Sequence, residues 1–289
     1  MTTALDVALP AVAALWGATA GALLPRAAYR FSAPAGEEWR KQCPAAHPVR
    51  GWLGTAPCTV CTTDAPAQAP TAGDEPAVAD GEDAPPEPSA PDNETVTGGA
   101  GWNTKTATTH PPAPAALALA TALVCAALAL ATGTRPELAV WLLLAPVGVL
   151  LAVVDFRVQR LPDPLTLPLA AAALALLGAA ALLPEHAGDW STSVCAALAL
   201  GGGYFVLFLI NPGGMGFGDV KLALGAGAVL GWYGWPTVLL GTFAGFLLGA
   251  LYGGALVVVR RAGRRTAIAF GPFLIAGAFA GLLVGAYTA

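Results

Sequence analysis

Eight long apolar runs dominate this sequence and limit what it can fold into. They lie near residues 5–24, 115–132, 138–154, 165–183, 192–210, 220–231, 236–259 and 267–288. About 20 apolar residues form a helix that crosses roughly 30 Å of hydrocarbon, because each residue adds ~1.5 Å. Only 11% of the 289 residues are charged, against roughly 25% in a soluble domain. The sequence therefore predicts an all-α polytopic membrane protein with about eight transmembrane helices.

The positive charges predict the orientation of these helices, because cytoplasmic connections carry the excess of lysine and arginine. With the N-terminus outside, Arg135 is the one basic residue of the 14 that falls on the external side. The others fall inside: Arg26, Arg30, Arg40, Lys41, Arg50, Lys105, Arg157, Arg160, Lys221, Arg260, Arg261, Arg264 and Arg265. The first run lacks the basic start of a cleavable signal peptide, so we expect a retained anchor and a chain that begins at or near Met1.

The chain divides into four segments. Residues 1–24 form the first predicted helix, residues 25–61 a cytoplasmic loop that contains cysteines, and residues 115–289 a membrane domain of seven helices. Residues 62–114 hold many prolines and acidic residues and few apolar ones, which predicts a disordered linker because such a segment cannot bury enough surface to offset its ordering entropy. The basic residues are scattered along membrane edges, so nucleic-acid binding is not expected.

Two aspartates stand at the ends of apolar runs. Asp155 ends the third run and Asp219 precedes the sixth, and two predicted crossings lie between them, so both belong to the cytoplasmic end. Either one alone could be an ordinary exposed or capping acid. A carboxylate inside a membrane helix is costly and needs a reason. Together, the two could share a proton, activate a water and protonate a substrate carbonyl, which is the chemistry of peptide hydrolysis without a metal.

The residues around Asp219 suggest a place for a peptide. Gly216 and Gly218 permit positive φ and the close approach of another backbone. The sequence favours extension of Lys221 to lipid headgroups, with a role in the site as the alternative. Asp163 is a rival partner for either aspartate, but it precedes Pro164 and an apolar run, which is the pattern of a helix N-cap. The predicted site therefore consists of Asp155 and Asp219 as catalytic residues, with Gly216, Gly218 and Lys221 as substrate-binding residues.

Three stretches resemble the signature regions of the prepilin peptidases, the type IV leader peptidases of the GxGD aspartic protease family. These stretches are "VVDFRVQRLPDPLTLP" (153–168), "GMGFGDVKLALGAG" (214–227) and "IAFGPFLIAGA" (268–278). The resemblance implies that Asp155 and Asp219 are the catalytic pair. It also implies that prepilin or pseudopilin leader peptides are cleaved at the cytoplasmic face of the bacterial inner membrane, after a glycine that precedes a hydrophobic helix.

Cys43, His47, Cys58 and Cys61 form a second candidate site, because three cysteines and a histidine suit a tetrahedral structural zinc. Disulfides are not expected in this compartment. The resemblance implies two CxxC pairs here, in a region linked to N-methylation with S-adenosylmethionine. In this chain Cys43 and His47 replace one pair and an acidic linker follows, which counts against methyl transfer.

Two other classes of function fit the sequence less well. A proton-coupled transporter also uses carboxylates within the membrane, but near its midplane rather than at one face. A non-catalytic assembly protein of a pilus or secretion system would need neither aspartate.

Overall fold

The computed structural model describes residues 4–34, 36–43, 45–55, 58, 61, 113–259 and 269–289, with side chains from Val7 onward. Its helices are α1 (Ala4–Ala22), α2 (Pro25–Phe31), α3 (Pro114–Thr132), α4 (Glu137–Val158), α5 (Asp163–Ala180), α6 (Trp190–Ile210), α7 (Phe217–Gly231), α8 (Trp235–Val258) and α9 (Gly271–Thr288). Each of the eight apolar runs overlaps one of these helices. The all-helical class is therefore confirmed for the part of the chain that the structure describes.

Six of the helices are long and apolar enough to cross a membrane, or seven spans result if α1 and α2, which meet at 46°, count as one. The predicted number of about eight included α7, which has 15 residues and is therefore only about 22 Å long. Most of the predicted linker lies outside the described residues, as do five of the basic residues used for the orientation. These are Lys105, Arg260, Arg261, Arg264 and Arg265.

Glycines spaced four residues apart bring pairs of helices into close contact. A Cβ added to Gly17 of α1 would lie 2.5 Å from the carbonyl oxygen of Thr121 in α3, and one added to Gly227 of α7 would lie 2.5 Å from that of Ala196 in α6. Close backbone approach of this kind drives helix association in membranes, where apolar side chains gain little by leaving the lipid. The same spacing recurs where α8 packs on α9, at Gly241, Gly245, Gly277 and Gly281.

The order of the helices places three helix ends together. α4 contacts α5, α5 contacts α7, and α9 contacts both α4 and α7. Because α5 and α6 run out and back, the C-terminal end of α4 and the N-terminal ends of α7 and α9 meet at one end of the bundle.

A buried carboxylate links the helix connections at the opposite end of the bundle. The side chain of Glu137 is fully buried, and its Oε1 accepts hydrogen bonds from the Ala187 N–H (3.3 Å) and the Tyr233 hydroxyl (3.4 Å). These contacts join the start of α4 to the α5–α6 and α7–α8 connections. Hydrogen bonds between helix connections therefore fix the end of the bundle that lies opposite Asp155 and Asp219.

Candidate active site

Asp155 lies in the last turn of α4. The helix ends three residues later, and Gln159 follows with φ 52° and ψ 37°, donating its N–H to the Asp155 carbonyl at 2.8 Å. The aspartate is only 4% exposed. Its Oδ2 has no hydrogen-bond partner among the described residues. A buried carboxylate oxygen without a partner needs an explanation, and a water or a substrate group would supply one.

Asp219 lies in the first turn of α7 and is 7% exposed. Its Oδ2 accepts a hydrogen bond from the Gly216 N–H at 3.2 Å, and its own N–H donates to the Gly216 carbonyl at 3.0 Å. The side chain thus reaches back to the N-cap backbone, as the acidic member of a capping box does. Asp219 is held in place by the helix start that it caps.

Both aspartates line one cavity of about 310 Å³. Its lining residues come from the loop after α2, the α4–α5 connection and the start of α7: Trp39, Asp155, Gln159, Arg160, Leu161, Asp163, Gly216, Phe217, Gly218 and Asp219. Two carboxylates that are 64 residues apart in sequence are thereby brought to one polar space at one end of the bundle. Such a space has room for a water and part of a peptide.

The start of α9 adds a third contact. A Cβ added to Gly271 would lie 2.5 Å from Asp155 Oδ2 and 3.1 Å from its Cγ. The glycine of the predicted third region therefore packs directly against the carboxylate, and no side chain fits between α9 and Asp155.

Gly216 and Gly218 lie in the cavity wall as predicted, but neither has a positive φ. Gly216 has φ −77° and ψ 144°, and Gly218 is helical. The positive φ that glycine permits is therefore not used at either position. The α4–α5 connection does approach Gly218 closely, since a Cβ at this position would lie 2.9 Å from the Leu161 Cβ. Gly218 thus allows the α4–α5 connection to pack against α7 beside Asp219.

Asp163 is not the N-cap that the sequence suggested. It is the first residue of α5, Pro162 holds the cap position, and no side chain caps this helix. The Asp163 carboxylate instead pairs with Lys221 Nζ at 2.7 Å, with 64% of the Asp163 side chain and 15% of the Lys221 side chain exposed. Lys221 does not line the cavity in the described residues. The ion pair joins α5 to α7 beside the aspartates.

The structure brings Cys43, His47, Cys58 and Cys61 together, with their ligand atoms within 4.8 Å of one another. Sγ of Cys43 lies 3.6 Å from His47 Nδ1 and 3.6 Å from Cys61 Sγ, and His47 Nδ1 lies 3.4 Å from Cys61 Sγ and 3.9 Å from Cys58 Sγ. Tetrahedral zinc with ordinary bond lengths separates two sulfurs by about 3.8 Å, and a sulfur from a nitrogen by about 3.6 Å. The cluster therefore fits a zinc ion.

The thiols of this cluster are hard to ionise without a metal. Hydrogen bonds with Cys43 and Cys58 raise the pKa of Cys61 to about 11. The crowded thiols thus resist ionisation unless a positive charge lies among them, and zinc supplies that charge when it displaces the protons.

Sequence reasoning missed several residues of the cavity. Trp39 comes from the cysteine-containing loop, more than 100 residues before either aspartate. Arg160 appeared only as a topological anchor, yet it lines the cavity with Gln159 and Leu161. The sole sequence signal was the position of Gln159, Arg160 and Leu161 within the stretch that follows Asp155; nothing in the sequence linked Trp39 to the site.

The fold and the site define a polytopic helical membrane protein with two buried aspartates in one cavity. Residues 141–254 match the profile of the type IV leader peptidase family, a range that includes both aspartates and ends before Gly271. The part of the chain that holds both aspartates is therefore similar to that family.

Curated relatives carry the name prepilin leader peptidase/N-methyltransferase. A protein of Aeromonas salmonicida is 39% identical over 154 residues, which cover 50% of this chain and 48% of the relative. One from Escherichia coli (strain K12) is 37% identical over 142 residues, 46% of this chain and 57% of the relative. One from Pseudomonas aeruginosa is 35% identical over 156 residues, 51% and 48%. The chain spans about half the length of the curated relatives it matches, and no solved structure matches it.

Proposed function

We propose that this protein is a membrane aspartic endopeptidase that removes leader peptides from type IV prepilins or pseudopilins, with Asp155 and Asp219 as its catalytic residues. One observation carries the proposal: the two aspartates of the family-matched region are buried in the same cavity. Their position at one end of the bundle is also less suited to a transporter, whose site lies near the midplane.

The two carboxylates share one proton in the proposed mechanism, because two negative charges so close in a buried site are unfavourable. The ionised carboxylate takes a proton from a water as that water attacks the carbonyl carbon of the scissile bond. The protonated carboxylate donates to the carbonyl oxygen. The carboxyl group that took the proton of the water then gives it to the leaving amine as the C–N bond breaks, and the other carboxylate takes a proton from a diol hydroxyl. The pair thus regains its shared proton, and neither a covalent intermediate nor a cofactor is needed.

The substrate class and the membrane face follow from the family and from the charge distribution. The names of the relatives support prepilins as substrates, and the excess of positive charge supports a cytoplasmic cavity with the N-terminus outside. A basic leader peptide would remain in the cytoplasm, and the hydrophobic helix after the cleaved bond would remain in the bilayer. Lys221 and the cavity glycines Gly216 and Gly218 would adjoin the bound peptide.

Purified protein incubated with a prepilin from the same genome tests the proposal. Asp155→Asn and Asp219→Asn should each lower the cleavage rate at least about 100-fold, which is the lower end of what a general acid or base contributes. Asp189→Asn is the control, because Asp189 caps α6 at the other end of the bundle and asparagine caps equally well. Full cleavage by either of the first two variants would remove that aspartate from the mechanism.

We further propose that Cys43, His47, Cys58 and Cys61 bind a structural zinc ion, with no part in the hydrolysis. Mass spectrometry of the purified protein should find one zinc per chain. Cys58→Ser should lower this content, and Cys195→Ser should not, because Cys195 is exposed on α6 away from the cluster. The proposal does not extend to methyl transfer with S-adenosylmethionine, since the loop departs from the implied pattern of two CxxC pairs.

A further inference from the structure

We infer that the loop segment holding Cys43 and His47 also forms a wall of the catalytic cavity, where Trp39 contacts the peptide substrate, and that the metal keeps this wall in place. We call residues 36–43 and 45–49 the strap. The inference rests on the proposed peptidase function, and it adds a specificity-determining residue and a link between the metal cluster and substrate binding.

Trp39 is the strap residue that reaches the cavity, which it lines together with Asp155. Its ring packs edge-on against Phe31 of α2, with ring centroids 5.3 Å apart. Trp39 also packs on the apolar cluster that includes Val154 of α4. The indole is half-buried, so it presents a fixed apolar surface in a cavity whose other walls carry several charged groups. An apolar side chain next to the scissile bond would find its contact there.

Arg160 joins the strap to the catalytic end of α4. Its guanidinium lies 4.2 Å from the centroid of the Trp39 ring. Its Nη1 donates to the carbonyl oxygens of Pro34 at 2.9 Å and Glu37 at 3.0 Å. A planar guanidinium stacks on an aromatic face while it donates sideways. Arg160 is therefore a positioning residue that fixes the indole over the α4–α5 connection.

The other end of the strap is held at the metal cluster. The Cys43 N–H donates to the His47 carbonyl at 2.9 Å, and the Val49 N–H donates to the Lys41 carbonyl at 2.8 Å, so the strap folds back on itself. Cys43 and Val49 form a small buried group with Tyr29 and Cys58. Two of the four metal ligands thus lie within the strap, and Cys43 is four residues from Trp39.

The strap also contacts α2, where the Arg40 guanidinium lies 5.1 Å from the centroid of the Tyr29 ring. Its backbone reaches α2 through the Arg40 N–H, which donates to the Arg30 carbonyl at 3.0 Å, and through the Gln42 carbonyl, which accepts from the Tyr29 hydroxyl at 3.0 Å. The metal fixes the Cys43–His47 end of this segment, which side-chain contacts and a few hydrogen bonds otherwise hold. The aspartates, by contrast, lie on long helices. Loss of metal should therefore weaken substrate binding and leave the chemical step almost unchanged.

Kinetics of prepilin cleavage test the role of Trp39. Trp39→Ala should raise KM about tenfold and change kcat less than about twofold, because the dyad is untouched. Trp39→Phe should restore most of the affinity, since it keeps an aromatic wall. Trp52→Ala is the matched control: Trp52 belongs to the same loop and stacks on Phe31 at 4.8 Å, but it does not line the cavity. A wild-type KM in Trp39→Ala would overturn the inference.

Hydrogen exchange of the full chain in detergent tests the role of the metal without relying on activity. Removal of the metal by a chelator, or Cys58→Ser, should abolish amide protection across the strap and leave α4 and α7 protected. The same treatment should raise KM to the level of Trp39→Ala, and it should add nothing further in that variant, because both changes remove one interaction. Unchanged protection of the strap without metal would refute the link. Absence of cleavage by the wild-type protein would instead refute the proposed function.

Discussion

Gly271→Ala provides the sharpest test of the cavity geometry. The added Cβ would lie 2.5 Å from Asp155 Oδ2, whereas ordinary contacts begin near 3.4 Å. The carboxylate or the start of α9 must therefore move by about 0.9 Å, and a displacement of ~1 Å at a catalytic group can cost on the order of 100-fold in rate. We expect kcat/KM for prepilin cleavage to fall about 100-fold, which corresponds to about 2.7 kcal/mol of transition-state stabilisation.

The assay compares initial rates of leader removal by the purified variants, with thermal unfolding measured on the same samples. Gly203→Ala is the matched control, because it adds the same methyl group within helix α6, where no other atom lies within 4 Å of the new Cβ. The control should cleave at the wild-type rate. Gly271→Ala with more than about one third of wild-type kcat/KM would refute the packing of α9 against Asp155, since a carboxylate displaced by 0.9 Å should not catalyse so well.

Two further predictions concern the polar contacts at the ends of α5 and α6. Asp163→Asn should destabilise the protein more than Lys221→Met does, because it leaves a largely buried ammonium without its partner; equal losses in thermal unfolding would contradict this. Asp189→Ala should lower the free energy of unfolding by about 1 kcal/mol through loss of the N-cap. Hydrogen bonds from Ser191 and Thr192 hold the pKa of Asp189 below its usual range, so its stabilisation is present above the unfolded pKa of about 3.9 and is lost as the pH falls through the lower folded value. A wild-type pH dependence of unfolding in Asp189→Ala would show that the cap contributes nothing.

The apolar runs predicted the helices well because membrane helices need length and hydropathy more than any particular partner. Every predicted run overlaps a helix. The pairing of Asp155 with Asp219 was also predictable, since an even number of crossings returns the chain to the same face. Cys43, His47, Cys58 and Cys61 came together as their chemistry suggested.

The contacts that complete the cavity could not be predicted, because they depend on tertiary packing rather than on local pattern. Nothing near Trp39 in the sequence indicates that its ring meets Arg160, more than 100 residues away. The pattern at Asp163 was that of an N-cap, but its carboxylate pairs instead with Lys221, which lies on α7, two helices later in the chain. Short α2 escaped notice because its seven residues carry too little periodicity to distinguish a helix from a loop.

The short length of α7 has a consequence for the depth at which Asp219 lies. At about 22 Å, it falls roughly 8 Å short of a typical hydrocarbon thickness of about 30 Å. Ten of its 15 residues are buried among the other helices, and its far end is level with the start of α6, where the Asp189 N–H donates to the Trp232 carbonyl at 2.9 Å. The missing length therefore lies at the end that carries Asp219, where it leaves a recess in the bundle. In the proposed function, water would reach the two carboxylates through this recess.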